Sequence, residues 1–580
     1  MQDKWFTDHP PSDRYPHYTR ANAGEVLPTP ASPLGQTYGF DNAIGHGFQE
    51  ASIVMGAYEE DDYRDGKPEM VTFFGGYFYI NMSCVRIQAV RNPAITVDQL
   101  DLAFFGDRPD TPPYEPHPKD EKPHLQEKID AHMQFVLSTS HWPELEEEKK
   151  RAAQIRADRP DLASLTDAEL VAYLRKLHPY IRDFTTNQMV AATSSGIPPG
   201  MLGAVAEAID DPTMPMRVLA GLGDVDSAAP SFALWELSRA IRDDEELSAL
   251  FDDGIDGLLD RLETLGSSNT QQFTDGFNKF LYEYGSRGPN EWELSAQTWE
   301  TDPSIPLRTL DQVRKQPDAK NPQYGADSAS EDRQHVIEEV RSKLAELGND
   351  ELVGVFEGAL VGANQMVFRE RAKTSLVRVL HESRMAIREL GKRHAESGTV
   401  SDPEHIFMLL DEELDSFVAD PSSFSALLYD RYENWLKLWH LTPPFFLRDG
   451  IIPPLTEWGT STSTVESILT EGAVLAGTAG CPGVVTGRAR IVRDPTAPPD
   501  LEPGDIMVAP LTDPAWTPLF LAVDGVVVNV GGQVSHAVIV SREMGIPCVV
   551  SVPDATEQIQ DGATITVDGT NGNVTLIRNP

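Results

Sequence analysis

Between residues 120 and 440 apolar side chains recur every three or four positions. HVIEEVRSKLAELG (335–348) and EGALVGANQMVFRERAKTSLVRVLHESRMAIRELGKRH (357–394) are the clearest examples. That spacing gathers them onto one face of a helix and predicts a helical bundle with loops. After residue 473 the rhythm shortens to β-rich runs punctuated by glycine: GVVTGRARIV, GDIMVAPL, GVVVNVGG, GIPCVVSV and ATITVDGTNGNVTLI. These predict strands, the last with a hairpin turn at Asn571-Gly572. Two helices interrupt them. Asp513 and Pro514 sit in the cap and first-turn positions of one, and the other, HAVIVSREM, is closed by Gly545 and then Pro547.

The front of the chain, residues 1–118, mixes a Pro-rich loop (PTPASPLG) with a strand-like patch, VTFFGGYFYINMSCVRI. The stretch TPPFFLRDGIIPPLTEWGTSTSTVES has two Pro pairs and a GTSTST run, poor material for a helix. Residues 443–472 are therefore expected to be a linker or hinge between a helical section at 119–442 and a C-terminal module at 473–580.

Composition narrows the function. The chain has 580 residues, too many for one ordinary core, with 40% hydrophobic and 24% charged residues, as in ordinary folded proteins. Its net charge of -42 repels polyanions, so no nucleic-acid partner is expected. No apolar run approaches the roughly 18 residues that span a bilayer, and MQDKWFTDHPPSDRYPHY lacks the shape of a secretory signal, so no membrane and a cytoplasmic location are expected. Cys84, Cys481 and Cys548 are too scattered for a disulfide framework or a zinc site and read as buried apolar residues. Met385 replaces the second histidine that a zinc motif beginning at His381-Glu382 would need, so no metal is expected there. Gly66-Lys67 and Gly391-Lys392 lack the remainder of a phosphate loop, and GLGDVD (221–226) lacks the third glycine of a dinucleotide fingerprint. No nucleotide site is recognisable in the chain.

One string carries chemistry. GVVVNVGGQVSHAVIVSREM runs from strand to glycine loop to Ser535-His536 at a helix start, where unpaired backbone N–H groups and the helix dipole favour an attached anion. Gly531 and Gly532 are expected to turn the backbone tightly and expose the His536 imidazole. A neutral imidazole is a good nucleophile near pH 7, and its phosphorylated form passes the group on. Arg369 and Lys373, four apart in FRERAKT, share a helix face and could clamp a phosphate; an exposed face paired with Glu370 and Glu382 is the plainer reading. Arg287 and Glu291, in GSRGPNE, are candidates for holding substrate or ordering the site, and a structural turn explains that loop equally well.

TDPAWTPLF, VGGQVSHAVIVSREMGIPCVV and GTAGCPGVVTGRARIV closely resemble the swivelling phosphohistidine domain of the family containing phosphoenolpyruvate synthase, pyruvate phosphate dikinase and rifampicin phosphotransferase. Val534-Ser535 and Cys481 are mild departures from the usual string. TRANAGEVLPTPASPL (19–34), GLGDVDSAAPSFALWELSRA (221–240), YGSRGPNEWEL (284–294) and FRERAKT (368–374) resemble more weakly the substrate-binding domain of rifampicin phosphotransferase and phenylphosphate synthase. Ser286 stands where that family has a histidine, which puts that histidine's proton-transfer role in doubt. The resemblance implies a multidomain chain, a mostly α-helical substrate-binding section followed by a C-terminal β/β/α swivelling phosphohistidine domain. It also implies His536 as phosphoryl acceptor, Arg369 and Lys373 as catalytic, and Gly531, Gly532 and Ser535 as the phosphohistidine loop. ATP and Mg2+ would be bound mainly by a separate ATP-grasp nucleotide-binding subunit. The expected acceptor is a small phenolic compound, phenol or an alkylphenol, as in the larger subunit of phenylphosphate synthase. An antibiotic hydroxyl or pyruvate as acceptor, or a non-catalytic phosphocarrier, are the alternatives.

Overall fold

In the computed structural model the described residues are 3–63, 68–93, 95–105, 108–460, 469–532 and 535–580. The chain runs through α1 (Asp167–Ser194), α2 (Ala229–Arg242), α3 (Ser268–Tyr284), α4 (Pro322–Leu347), α5 (Asn364–Glu396), α6 (Ser425–Leu438) and α7 (His536–Met544), among other helices. Strands β1 (Tyr18–Thr19), β2 (Val71–Phe74), β3 (Tyr77–Asn81) and β4 (Phe446–Leu447) form one sheet. Strands β5 (Val474–Ala476), β6 (Thr478–Cys481), β7 (Val484–Ile491), β8 (Asp505–Ala509), β9 (Gly525–Val528), β10 (Cys548–Val550), β11 (Thr564–Asp568) and β12 (Asn573–Arg578) form another. A mostly helical front and a C-terminal mixed sheet with helices are the fold class that the periodicity predicts.

Packing gathers the chain into two compact units. One holds residues 1–194, 292–296 and 371–464; the other holds 195–291, 297–370 and 465–580. The division falls inside α5, between Glu370 and Arg371.

The first unit is built on the sheet β2-β3-β1-β4 and a core that includes Tyr38, Phe73, Phe78, Leu174, Leu380 and Trp435. Gly75 and Gly76, both at positive φ (59° and 75°), make the two-residue turn between β2 and β3. The strand-like patch ends early: Met82–Arg91 is a helix, because the Asn81 side chain accepts the Cys84 N–H at 3.2 Å and caps it. The segment behind the Pro-rich loop, Gly35–Ile44, is a wide π-type helix, which the sequence did not announce. Within the expected linker, Phe446 and Leu447 pair with β1, and Leu455 and Trp458 are buried in this unit's core. The remainder of the expected hinge at 461–468 lies outside the described residues, as do Gly66-Lys67.

In the second unit the C-terminal sheet has the order β5-β12-β11-β7-β8-β9-β10-β6. The centre, β7-β8-β9-β10, is parallel, and its flanks are antiparallel. Central strands of this kind are covered on both faces, which explains why GDIMVA and GVVV read as unbroken apolar runs. One face holds Met507, Val526, Val528 and Val538 of α7; the other holds Ile506, Val508, Val527 and Ile565. The turn at Asn571-Gly572 joins β11 to β12, with the Asp568 carboxylate accepting the Thr570 and Asn571 N–H groups.

Candidate functional site

The site is built where β8 and β9 end. Parallel strands deliver their following loops to one edge, and here those loops lead into a 3-10 segment, Pro514–Ala522, and into α7. Asp513 caps the first: one carboxylate oxygen accepts the Ala515 N–H at 2.9 Å, and the other accepts the Asn290 N–H at 2.9 Å. His536 is the first residue of α7, after Ser535 in extended conformation (φ −68°, ψ 160°).

Thr517 faces the histidine, with Oγ1 3.0 Å from His536 Nε2. With the hydroxyl donating, Nε2 carries the lone pair and the ring proton resides on Nδ1. In that tautomer Nε2 is the nitrogen whose lone pair could act as a nucleophile, at a helix start and beside a hydroxyl. Nothing local to TDPAWTPLF or to GSRGPNE marks Thr517 or Asn290 as part of the site. Only folding brings residue 517 to residue 536.

Two expectations about this loop need correction. The imidazole is not exposed: His536 is only 7% accessible, because the 3-10 segment packs over it. Of the two glycines, Gly531 is the constrained one. A Cβ there would lie 3.0 Å from Ser535 Oγ and 3.3 Å from Val550 Cβ, whereas one at Gly532 would meet nothing within 4 Å among the described residues. Ser535 does not cap α7 through its side chain; its N–H closes a turn on the Gly532 carbonyl at 2.9 Å. Gln533 and Val534 lie outside the described residues.

Arg287 and Glu291 form a buried ion pair, with Nη1 3.0 and 3.2 Å from the two carboxylate oxygens. Asn290, one residue before Glu291, donates its N–H to Asp513, so this loop supports the segment that carries Thr517. Arg369 lies on α5, where Val367 packs with Ile539 of α7. Lys373 follows one turn later on that helix, beyond the division at residue 370. Arg369 Nε approaches Glu370 at 3.5 Å, whereas Glu382 is engaged by Arg156 (3.3 Å) and Arg159 (2.6 Å). Among the described residues no helix is long and apolar enough to cross a membrane. Cys84, Cys481 and Cys548 are buried free thiols, and burial pushes Cys481 and Cys548 up to about 12.

Residues 185–370 match the family described as rifampicin phosphotransferase fourth domain, and residues 501–572 match the PEP-utilising enzyme, mobile domain. An uncharacterized protein of Mycobacterium tuberculosis is 32% identical over 296 residues, 50% of this chain and 30% of that protein. Rifampicin phosphotransferase of Streptomyces sviceus is 32% identical over 310 residues, 52% of this chain and 34% of the enzyme. Prodigiosin synthesizing transferase PigC of Serratia marcescens is 25% identical over 613 residues, 97% of this chain and 63% of its own length. The chain thus spans less than two thirds of the length of each of these relatives. It carries two stretches that match domains of phosphotransferases, a rifampicin phosphotransferase fourth domain and a PEP-utilising mobile domain, with His536 at the head of α7 in the second.

Proposed function

We propose that the chain is the carrier and acceptor-binding part of a phosphotransferase in which His536 transiently holds the phosphoryl group. The observation that carries this reading is the imidazole at the start of α7, with Nε2 set against Thr517 Oγ1 inside a domain that matches the PEP-utilising mobile domain. Nε2 attacks phosphorus of the donor nucleotide. The P–N bond forms at the β-phosphorus as the P–O bond to the departing AMP breaks and its electron pair leaves with that oxygen; water then attacks the γ-phosphorus, releasing phosphate and leaving one phosphoryl group on Nε2. An acceptor oxygen then attacks the same phosphorus, and the P–N electron pair returns to Nε2. Arg369 and Lys373 are the cations that would neutralise charge on the transferring oxygens. Arg287 and Glu291 order the loop behind Thr517. ATP and Mg2+ would be held mainly by a separate ATP-grasp subunit, since the chain carries no recognisable phosphate loop.

The acceptor proposed is a small phenolic hydroxyl, such as phenol or a cresol, with the balance ATP plus phenol plus water giving aryl phosphate, AMP and phosphate. A second reading, an antibiotic hydroxyl, draws support from the match of residues 185–370 to the rifampicin phosphotransferase fourth domain and from the relative in Streptomyces sviceus. The test is reconstitution with an ATP-grasp partner, ATP and Mg2+, offering phenol, 4-cresol and rifampicin in parallel and identifying products by mass spectrometry. AMP and an aryl phosphate, both lost in His536→Ala, are expected. A phosphorylated antibiotic alone would transfer the conclusion to the second reading, and turnover that survives in His536→Ala would end both.

A further inference from the structure

GLGDVD at 221–226 resembled a dinucleotide loop without completing one, and the chemistry above does not use it. Gly221 and Gly223 are both left-handed (φ 60° and 72°). A Cβ at Gly221 would lie 2.5 Å from the backbone of Ala329 and Ser330, so only glycine lets the loop lie flat on α4. This conformation points successive N–H groups the same way, the arrangement that binds anions. The anion is present. Glu543, in the last turn of α7, accepts the Leu222 N–H at 3.1 Å on one carboxylate oxygen and the Gly223 N–H at 3.3 Å on the other. Arg333, whose Nε donates to the Val218 carbonyl at 2.9 Å, adds positive potential.

The surrounding contact is close and shaped to fit. A Cβ at Gly325 of α4 would lie 2.2 Å from the Met544 carbonyl oxygen, so glycine there allows α7 to seat on α4. Ile539 of α7 packs with Val225, Ala228 and Val367. Lys320 and Asp524 form an ion pair of 2.5 Å across the same contact. Every contact here joins the histidine-bearing domain to the stretch matched as the fourth domain.

We infer that the 221–226 loop is the receptor for the histidine-bearing domain: its amides grip Glu543 when the domain is seated, and the seated state is the one that delivers the phosphoryl group. The delivery half rests on the carrier reading above; the receptor half does not. The seated domain touches the Arg287–Glu291 loop through Asp513 and Asn290 and the start of α5 through Ile539 and Val367, whereas nucleotide is expected on another polypeptide, so seating corresponds to transfer and release to charging.

Zero-length carbodiimide cross-linking of Lys320 to Asp524 in the full chain, followed by peptide mass spectrometry, reads seating without any activity. Glu543→Lys sets a cation against two N–H donors, and Gly325→Leu blocks the approach of Met544 while leaving Glu543 intact. Each should slow the cross-link about tenfold or more, the scale of one lost charge-assisted hydrogen bond. Cross-linking at the wild-type rate in both variants would overturn the receptor. With partner and ATP present, Glu543→Lys should still load His536 but form product at least about tenfold more slowly. Product at the wild-type rate despite lost cross-linking would overturn delivery. Absence of label on wild-type His536 would count against the carrier reading alone, and the cross-link would still decide the receptor.

Discussion

Thr517 Oγ1 lies 3.0 Å from His536 Nε2, where a donating hydroxyl would select between the two ring nitrogens. Thr517→Val keeps the shape and removes the donor. It should slow labelling of His536 by roughly ten- to a hundredfold, the scale of one positioned donor in catalysis, and Thr517→Ser should restore most of the rate. Nitrogen NMR of the imidazole reads the same effect directly, as loss of the preference for the Nδ1–H tautomer. An unchanged tautomer together with an unchanged labelling rate would remove Thr517 from the mechanism. The Arg287–Glu291 pair, with side chains 3% and 1% exposed, makes a different kind of demand. Glu291→Gln leaves a guanidinium without its carboxylate partner. It should cost about 3 kcal/mol of stability, measured by denaturant unfolding, because a buried ion is costly once its counter-charge is gone.

Between two elements of the first unit, the helix Pro143–Ala157 and α1, the Glu148 carboxyl is pushed up to about 8, chiefly by burial, with Asp183 adding to the rise and the Asn187 hydrogen bond opposing it. A carboxyl raised in the folded state binds its proton more tightly there than in the unfolded chain. The associated stability is fully present below the unfolded value of 4.5 and is lost as pH rises through about 8. Glu148→Gln should therefore match wild type near pH 4. It should exceed wild type by a few kcal/mol above pH 8, since each pKa unit is worth about 1.4 kcal/mol. Parallel stability profiles of the two proteins across that range would refute the assignment. The elements themselves were unequally legible. Helices from α2 to α5 and the strands β7 to β12 follow periodicity and glycine punctuation, which are local signals. Met82–Arg91 was hidden because VRI is strand-forming material, and only the Asn81 cap turns it into a helix.

For the molecule as a whole, the proposal separates two half-reactions, charging of His536 and transfer from it. Arg369→Ala/Lys373→Ala should leave charging near the wild-type rate and slow transfer by a factor on the order of 10² or more, since the pair would act only on the transferring oxygens. Label retained on His536 while product fails to accumulate is the expected signature. A double variant that transfers normally would return the pair to the plainer reading of a solvated helix face. The sequence alone determined the helical front, the β-rich C-terminal module and the histidine at a helix start, because each is written in local spacing and in a short contiguous string. Tertiary structure alone decided the rest. Phe446-Leu447 looked like linker until β1 gave it a partner, His536 looked exposed until the 3-10 segment covered it, and GLGDVD had no role until Glu543 met its amides. Burial and hydrogen bonding depend on which distant segments arrive at the same place, and no local pattern along the chain encodes that arrival.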